Sequence, residues 1–395
     1  MKTLPLSGHR ARWAVPAGAV ALVAAVTAGS MVTAAAASPA LPPRTPAELL
    51  TTLAQAGPPP PLTGTVSETA DFGIPQLPGA ENPTSVLSLL SGTHTIHLAY
   101  GDPGHARLAL PFPLGETDLI RNGSTAWIWQ SGTDSVERIL LPAHPAQPGP
   151  AASPSPAESP LTPQQAAQRA LAAVGPTTRV TVGPTTTIAG QDAYQLVIAP
   201  RDSRSLIGSV VIAVDAQHPG VPLRVQIFAR GATSPAFDTG YTEISFSPPP
   251  ASTFDFTPPA GATVHTVTPP VPQPGSAPAP QPAPAAGQNV IGTGWLSVAV
   301  LPASALSGLS SPNAAGALGQ AAQSASSGPG AGSGGGVDPA AVLAALLKSA
   351  KAVSGPWGSG KLLQTSLVSV LITSSHVLVG AVDPSVLYGA AAQAG

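Results

Sequence analysis

Two proline-rich tracts limit what this chain can fold into more than any other feature. Ala143 to Pro156 reads Ala-His-Pro-Ala-Gln-Pro-Gly-Pro-Ala-Ala-Ser-Pro-Ser-Pro, with Pro160 closing the tract, and Pro269 to Ala286 is more biased still. Proline fixes φ and offers no N–H, so neither tract can run through the interior of a helix or a sheet. With 49 prolines and 41 glycines in 395 residues, the chain reads as ordered modules joined by segments that need not fold. Ser307 to Gly336 is rich in Gly and Ser and lacks apolar periodicity, so no element is assigned to it. The expected organisation is a leader or anchor over 1–40 and one domain over 41–268, interrupted at 143–160. A linker over 269–288 then leads to a C-terminal segment, 289–395, holding the 307–336 loop, a helix and a β-hairpin.

Lys2, His9, Arg10 and Arg12 precede an uncharged run from Trp13 to Ala37, and Ala34-Ala35-Ala36-Ala37-Ser38 offers a signal peptidase an Ala-x-Ala site. About 25 uncharged residues also suffice to span a bilayer, so a cleaved signal and a retained transmembrane helix both remain open. Either implies an extracytoplasmic protein, periplasmic or secreted, or anchored to the outer face of the cytoplasmic membrane. The chain has no cysteine. That excludes a lipidated N-terminus, disulfides, thiolate metal sites and a cysteine nucleophile. Beyond residue 37, 13 basic side chains stand against 18 acidic ones and the arginines are scattered, which excludes a nucleic-acid partner.

The remaining sequence reads mainly as strands. Thr45-Pro46-Ala47-Glu48 is a capping box with proline at the first helical position, and predicts a short helix ahead of the first strand. Strands are expected over 63–70, 93–100, 107–110, 118–123 and 126–130, with a second short helix over 81–90. Gly101-Asp102-Pro103-Gly104 and Asn122-Gly123 supply turns between them. Thr162-Pro163-Gln164-Gln165 opens a helix that stops at Gly175-Pro176. Strands over 186–188, 193–199, 208–215, 223–230 and 237–246 follow, with turn residues between. In the tail, 337–353 reads as a helix, with 367–371 and 376–382 as a hairpin. Short turns between consecutive strands predict an antiparallel meander with too few helices to cover both faces.

Certain strings carry a family resemblance. They are Asp118-Leu119-Ile120-Arg121-Asn122-Gly123 with Trp127-Ile128-Trp129, then Tyr194-Gln195-Leu196-Val197-Ile198. Val211-Ile212-Ala213-Val214-Asp215 with Gly220-Val221-Pro222-Leu223-Arg224-Val225 completes the set. In this order, with a Thr-Pro-Gln-Gln helix between the strand groups, the chain resembles actinobacterial members of the outer-membrane lipoprotein carrier and periplasmic sigma-factor regulator (LolA/RseB-like) superfamily. The resemblance covers roughly half of the chain. It implies an α+β fold: a strongly curved antiparallel β half-barrel, LolA-like, with short helices on its concave face. Such a face holds acyl chains or a lipoprotein anchor. The chain departs from lipid-anchored members in lacking the processed cysteine.

Chemistry is sparse by comparison. His94 and His97 lie three apart in a strand and point to opposite faces, so they do not share a metal. No serine sits in a nucleophile elbow, and Gly355 to Lys361 lacks the spacing of a phosphate loop. No catalytic residue, metal ligand or cofactor is assigned. The candidate lipid-lining residues are Phe112, Trp127, Trp129, Leu196, Ile198, Ile212 and Phe228, which serve equally as ordinary core. The expected function is a non-catalytic binding protein for a lipid, acyl chain or lipoprotein anchor. The alternative is an envelope regulator that binds the outer segment of a membrane protein, such as an anti-sigma factor, through a sheet edge or the proline-rich tract.

Overall fold

Helix α1, Pro46–Ala54, starts where the capping box places it. The Thr45 hydroxyl accepts the Glu48 N–H at 3.3 Å, and the Glu48 carboxylate accepts the Thr45 N–H at 2.7 Å. The computed structural model describes residues 38–74, 88, 91–141, 175–268, 289–304 and 345–394. The fold belongs to the unit Ala40–Gly395.

Thirteen strands form the first sheet. They are β1 Leu62–Asp71, β2 Ser91–Asp102, β3 His105–Phe112, β4 Gly115–Asn122, β5 Thr125–Gln130, β6 Ser135–Leu140, β7 Thr178–Val182, β8 Thr186–Ile188, β9 Gln191–Pro200, β10 Ile207–Asp215, β11 Pro222–Ala229, β12 Pro235–Ser245 and β13 Thr263–Val267. The order is β13-β6-β5-β4-β3-β2-β1-β12-β11-β10-β9-β7, with β8 also on β9. Two meanders, β2 to β6 and β9 to β12, are joined through β1, so strands from both sides of the 143–160 tract share one sheet. Every pair is antiparallel except β13 with β6.

The second sheet has the order β14-β15-β19-β18-β17-β16. Its strands are β14 Asn289–Ile291, β15 Val298–Pro302, β16 Lys351–Gly355, β17 Gly358–Gln364, β18 Ser369–Thr373 and β19 His376–Gly380, and helix α2, Pro384–Ala394, covers one face. Val298, Val300, Leu371, Leu378, Val382 and Leu387 form its core, each at most 2% exposed.

Two expectations are corrected. The first sheet is an open, mostly antiparallel sheet, neither closed into a barrel nor strongly curved, so the half-barrel with helices on a concave face is overturned. The physical reason is that one-sided apolar alternation belongs to any antiparallel sheet with one face on a core and does not itself encode curvature, which needs repeated bulges or glycine kinks. Helix α1 packs at the β7–β9 end, where Leu49 meets Tyr194 and Leu196; the helix expected after Thr162 and most of that over 81–90 lie outside the described residues. The transmembrane helix is the second correction. Among the described residues no helix is long and apolar enough to cross a membrane, and the run 13–37 that carried the expectation lies outside them. In the tail, residues 345–349 are helical but β16 begins at Lys351, and the expected hairpin is the inner pair β18–β19 of a larger sheet.

Candidate functional site

Strand register sorts the seven candidate lining residues into separate groups. Ile212 stands opposite Leu196, with Ile198 two residues along the same strand, so these three share a face. Leu196 is fully buried there, with Ile198 beside it. Phe228 pairs with Ser209 and lies on the other face of the same strands. Trp127 and Trp129 stand opposite Ile120 and Asp118, on the face also occupied by Arg107 and Ala109. Phe112, opposite Gly115, is on the reverse of that face. The structure thus gathers Leu196, Ile198 and Ile212 in one place and the two tryptophans in another, and brings neither Phe112 nor Phe228 to either.

The tryptophans lie under a strap. After β12 the chain makes a 3-10 turn at Ala251–Thr253 and returns across the sheet to β13. Phe256 meets Trp127 and Trp129 with ring centroids 5.5 and 6.4 Å apart, and Phe254 packs on His105 at 5.7 Å. The Arg138 guanidinium stands 5.3 Å from the Trp127 ring centre, a cation–π contact. Beneath this layer Arg107 pairs with Asp118, a carboxylate only 1% exposed.

Glu137 lies on β6 directly opposite His265 of β13 and is buried. Burial pushes its carboxyl above the usual glutamate range, with His265 pulling the other way. The folded state therefore holds this proton more tightly than the unfolded chain. The resulting stability is full below the ordinary glutamate value and is lost as pH rises through the raised one. Glu137→Gln is expected to flatten that pH dependence and to raise the melting temperature at pH 7, read by thermal denaturation from acidic pH up to pH 7.

A cleft of about 430 Å³ lies where the two sheets meet. The join is made by backbone: Leu206 N–H donates to the Ala381 carbonyl at 2.9 Å, and Asp383 N–H to the Arg204 carbonyl at 2.7 Å. One wall carries Arg204 and Asp202, bonded through Nε at 3.0 Å and Nη2 at 2.7 Å. The Arg204 side chain holds the Asp202 carboxyl down to about 2, so both charges persist at any envelope pH. The other wall carries Trp295, Leu296, Val386 and Gly389. Trp295 sits on the 3-10 turn Gly294–Leu296 and donates its Nε1–H to the Thr178 hydroxyl at 2.8 Å. A second cleft of similar volume, about 430 Å³, is lined by Arg224, Asp238, Tyr241 and Ile188. Arg224 there is bonded to Asp238.

Sequence reasoning missed the junction cleft. Its residues come from four distant stretches of chain, and the one local signal was Trp295 standing alone after Gly294. Among the described residues no group of three or more His, Asp or Glu is placed to hold a metal, and His94 and His97 pair with Glu68 and Thr65 on opposite faces of β2.

No family model matches the chain, and no curated protein matches it. Solved structures do show a distant likeness. MucB of Pseudomonas aeruginosa in its complex with MucA matches with a TM-score of 0.39 and 14% identity, over 88% of this chain and 96% of that one. A further crystal structure of MucB gives 0.35 and 13%, over 86% and 94%. A LolA superfamily protein of Nitrosomonas europaea gives 0.20 and 9%, over 54% and 99%. All lie below a TM-score of 0.5, and the functional reading rests on the residues instead.

Proposed function

We propose that this chain is an extracytoplasmic, non-catalytic binding protein that holds a segment of a protein partner, of the kind a membrane protein such as an anti-sigma factor presents on its outer side. The observation that supports it is the junction cleft. One wall is apolar and aromatic, the other is a persistent ion pair, and Arg204 of that pair also takes part in the backbone bonds that tie the two sheets. An extended segment suits such a site, because apolar side chains can settle against Trp295 and Leu296 while backbone groups meet the polar wall. The basic leader followed by an apolar run supports the location. MucB, to which the chain bears a distant likeness, was solved with MucA; that fact is in keeping with a protein partner and is not what the reading rests on.

The acyl-chain reading has less support. A long methylene chain gains about 0.8 kcal/mol per buried CH₂ only where the walls are continuously apolar. Both described clefts have charged walls.

Gly389 gives the test. It lines the cleft from α2, and a Cβ built on it meets nothing within 4 Å. Gly389→Ala should leave binding intact and stabilise the helix by about 1 kcal/mol. Gly389→Trp should fill the cleft. A photo-crosslinker at Gln393, which also lines the cleft from α2, should couple in the full-length chain to the outer segment of a membrane protein. A peptide of that segment should then bind unmodified protein and lose at least about tenfold affinity to Gly389→Trp, roughly 1.4 kcal/mol. Saturable acyl-probe binding without any such crosslink would return the lipid reading.

A further inference from the structure

We propose that β13 is a self-pairing edge, through which two copies of this chain join their first sheets antiparallel about His265. The proposal is independent of the junction cleft. β13 is the last strand of its sheet, and among the described residues nothing pairs with its outer side. Its register fixes which backbone groups face outward. Thr263 N–H donates to the Asp134 carbonyl at 2.9 Å while Thr263 stands opposite Ser135. In a parallel ladder alternate residues direct both backbone groups to the same neighbour, so Thr263, His265 and Val267 serve β6. Val264 and Thr266 therefore turn their N–H and C=O outward.

Other edges of the two sheets are guarded. β7 carries an exposed Arg179 and is tied at Thr178 to Trp295. β14 has only three residues, and β16 carries Lys351. Charges, shortness and cover are the devices that keep edges from pairing. β13 carries no Lys, Arg, Asp or Glu and, among the described residues, no cover: it reads Thr-Val-His-Thr-Val, with Val264 45% exposed and Thr266 exposed.

A second copy is the occupant this strand fits, because a strand without Asp, Glu, Lys or Arg, with outward N–H and C=O groups at Val264 and Thr266, can pair with itself and bring no fixed charge against another. With His265 on the two-fold axis, Val264 of one copy opposes Thr266 of the other, and each such pair exchanges two backbone hydrogen bonds. His265 opposes His265 at a position whose backbone groups already serve β6, as an antiparallel pair requires between hydrogen-bonded positions. No fixed charge meets a like charge. The contact is isologous and closes at two copies.

The chain's lack of cysteine makes the register directly readable. Residues opposed across a non-hydrogen-bonded position have Cα atoms about 4.5 Å apart, within disulfide reach. Val264 to Val264 and Thr266 to Thr266 would be about 9 Å apart, beyond it. Full-length His265→Cys is expected to form a covalent dimer under mild oxidation, and Val264→Cys and Thr266→Cys at least tenfold less. Adding Thr266→Pro removes an outward N–H and leaves the β6 ladder whole, since edge strands accept proline where the nitrogen faces outward. It should abolish the crosslink at an unchanged melting temperature. Should that variant fail to fold, Val264→Pro makes the same test. Sedimentation of the unmodified chain should show dimer growing with concentration. A chain that stays monomeric, equal crosslinking at 264, 265 and 266, or a crosslink indifferent to both prolines would each overturn the proposal, as would a monomer that takes up a foreign strand there.

Discussion

Leu378→Ala is expected to destabilise the protein by about 4 kcal/mol, near the upper end for a leucine deletion. Leu378 is fully buried on β19, opposite Val300 of β15 and Leu371 of β18, which are 2% and 0% exposed. Helix α2 closes the layer with Leu387, Ala390 and Ala391. The lost methyl and methylene groups forfeit their transfer free energy. Beyond that, the neighbours stand on backbones fixed by ladder hydrogen bonds on both sides, so the void cannot collapse. The check is chemical denaturation followed by far-UV circular dichroism, with Leu114→Ala as control. Leu114 is 94% exposed, and its removal should change stability by less than about 0.5 kcal/mol. A loss below about 1 kcal/mol for Leu378→Ala would mean that the second sheet does not share the cooperative transition.

Features written in a few consecutive residues were legible in the sequence. The capping box at Thr45 formed as expected. Asn122-Gly123 turned β4 into β5, with Gly123 at a φ of +60°. In the turn after Asp215 the carboxylate accepts the N–H groups of Gln217 and His218 at 2.7 and 2.9 Å. In each case chemistry within four residues settles the backbone, and distant partners are not needed. Pairings settled by distant partners were not legible. β13 lies beside β6, more than a hundred residues earlier, and only that neighbour makes Thr263–Val267 a strand. The Gly-rich β17 has no alternation of its own, while 337–353 reads locally as helix although β16 begins at Lys351. Curvature was inferred from the resemblance and from an apolar face, and neither specifies a bend. The candidate site suffered in the same way, since Arg204, Trp295 and Gly389 are neighbours only because two sheets meet.

Arg107→Ala is expected to cost about 3 kcal/mol, although the side chain removed is itself about a third exposed. What the substitution leaves behind sets the cost. Asp118 is 1% exposed, and its Oδ1 has no hydrogen-bond partner, so the Arg107 Nη2 bond to Oδ2 is its principal compensation. Without the guanidinium, a carboxylate remains on a face shared with Ile120, Ala109 and Trp129, and it loses the ion pair that offsets its desolvation. Arg107 also draws down the carboxyl of Glu116, which burial and then Asp118 push up; its loss therefore disturbs a second acid. Removing both charges should behave differently. Arg107→Met with Asp118→Leu replaces the pair by apolar groups of similar size, and buried pairs so replaced are often neutral or better. The double variant is expected to recover most of the roughly 3 kcal/mol, and the double-mutant cycle with each single change measures the coupling directly. If Arg107→Ala alone were neutral, Asp118 would have to be reached by water beneath the Phe256 strap. Trp129 fluorescence, which reports on that layer, should then be quenched by a small neutral solute in the variant and shielded from it in the unmodified protein.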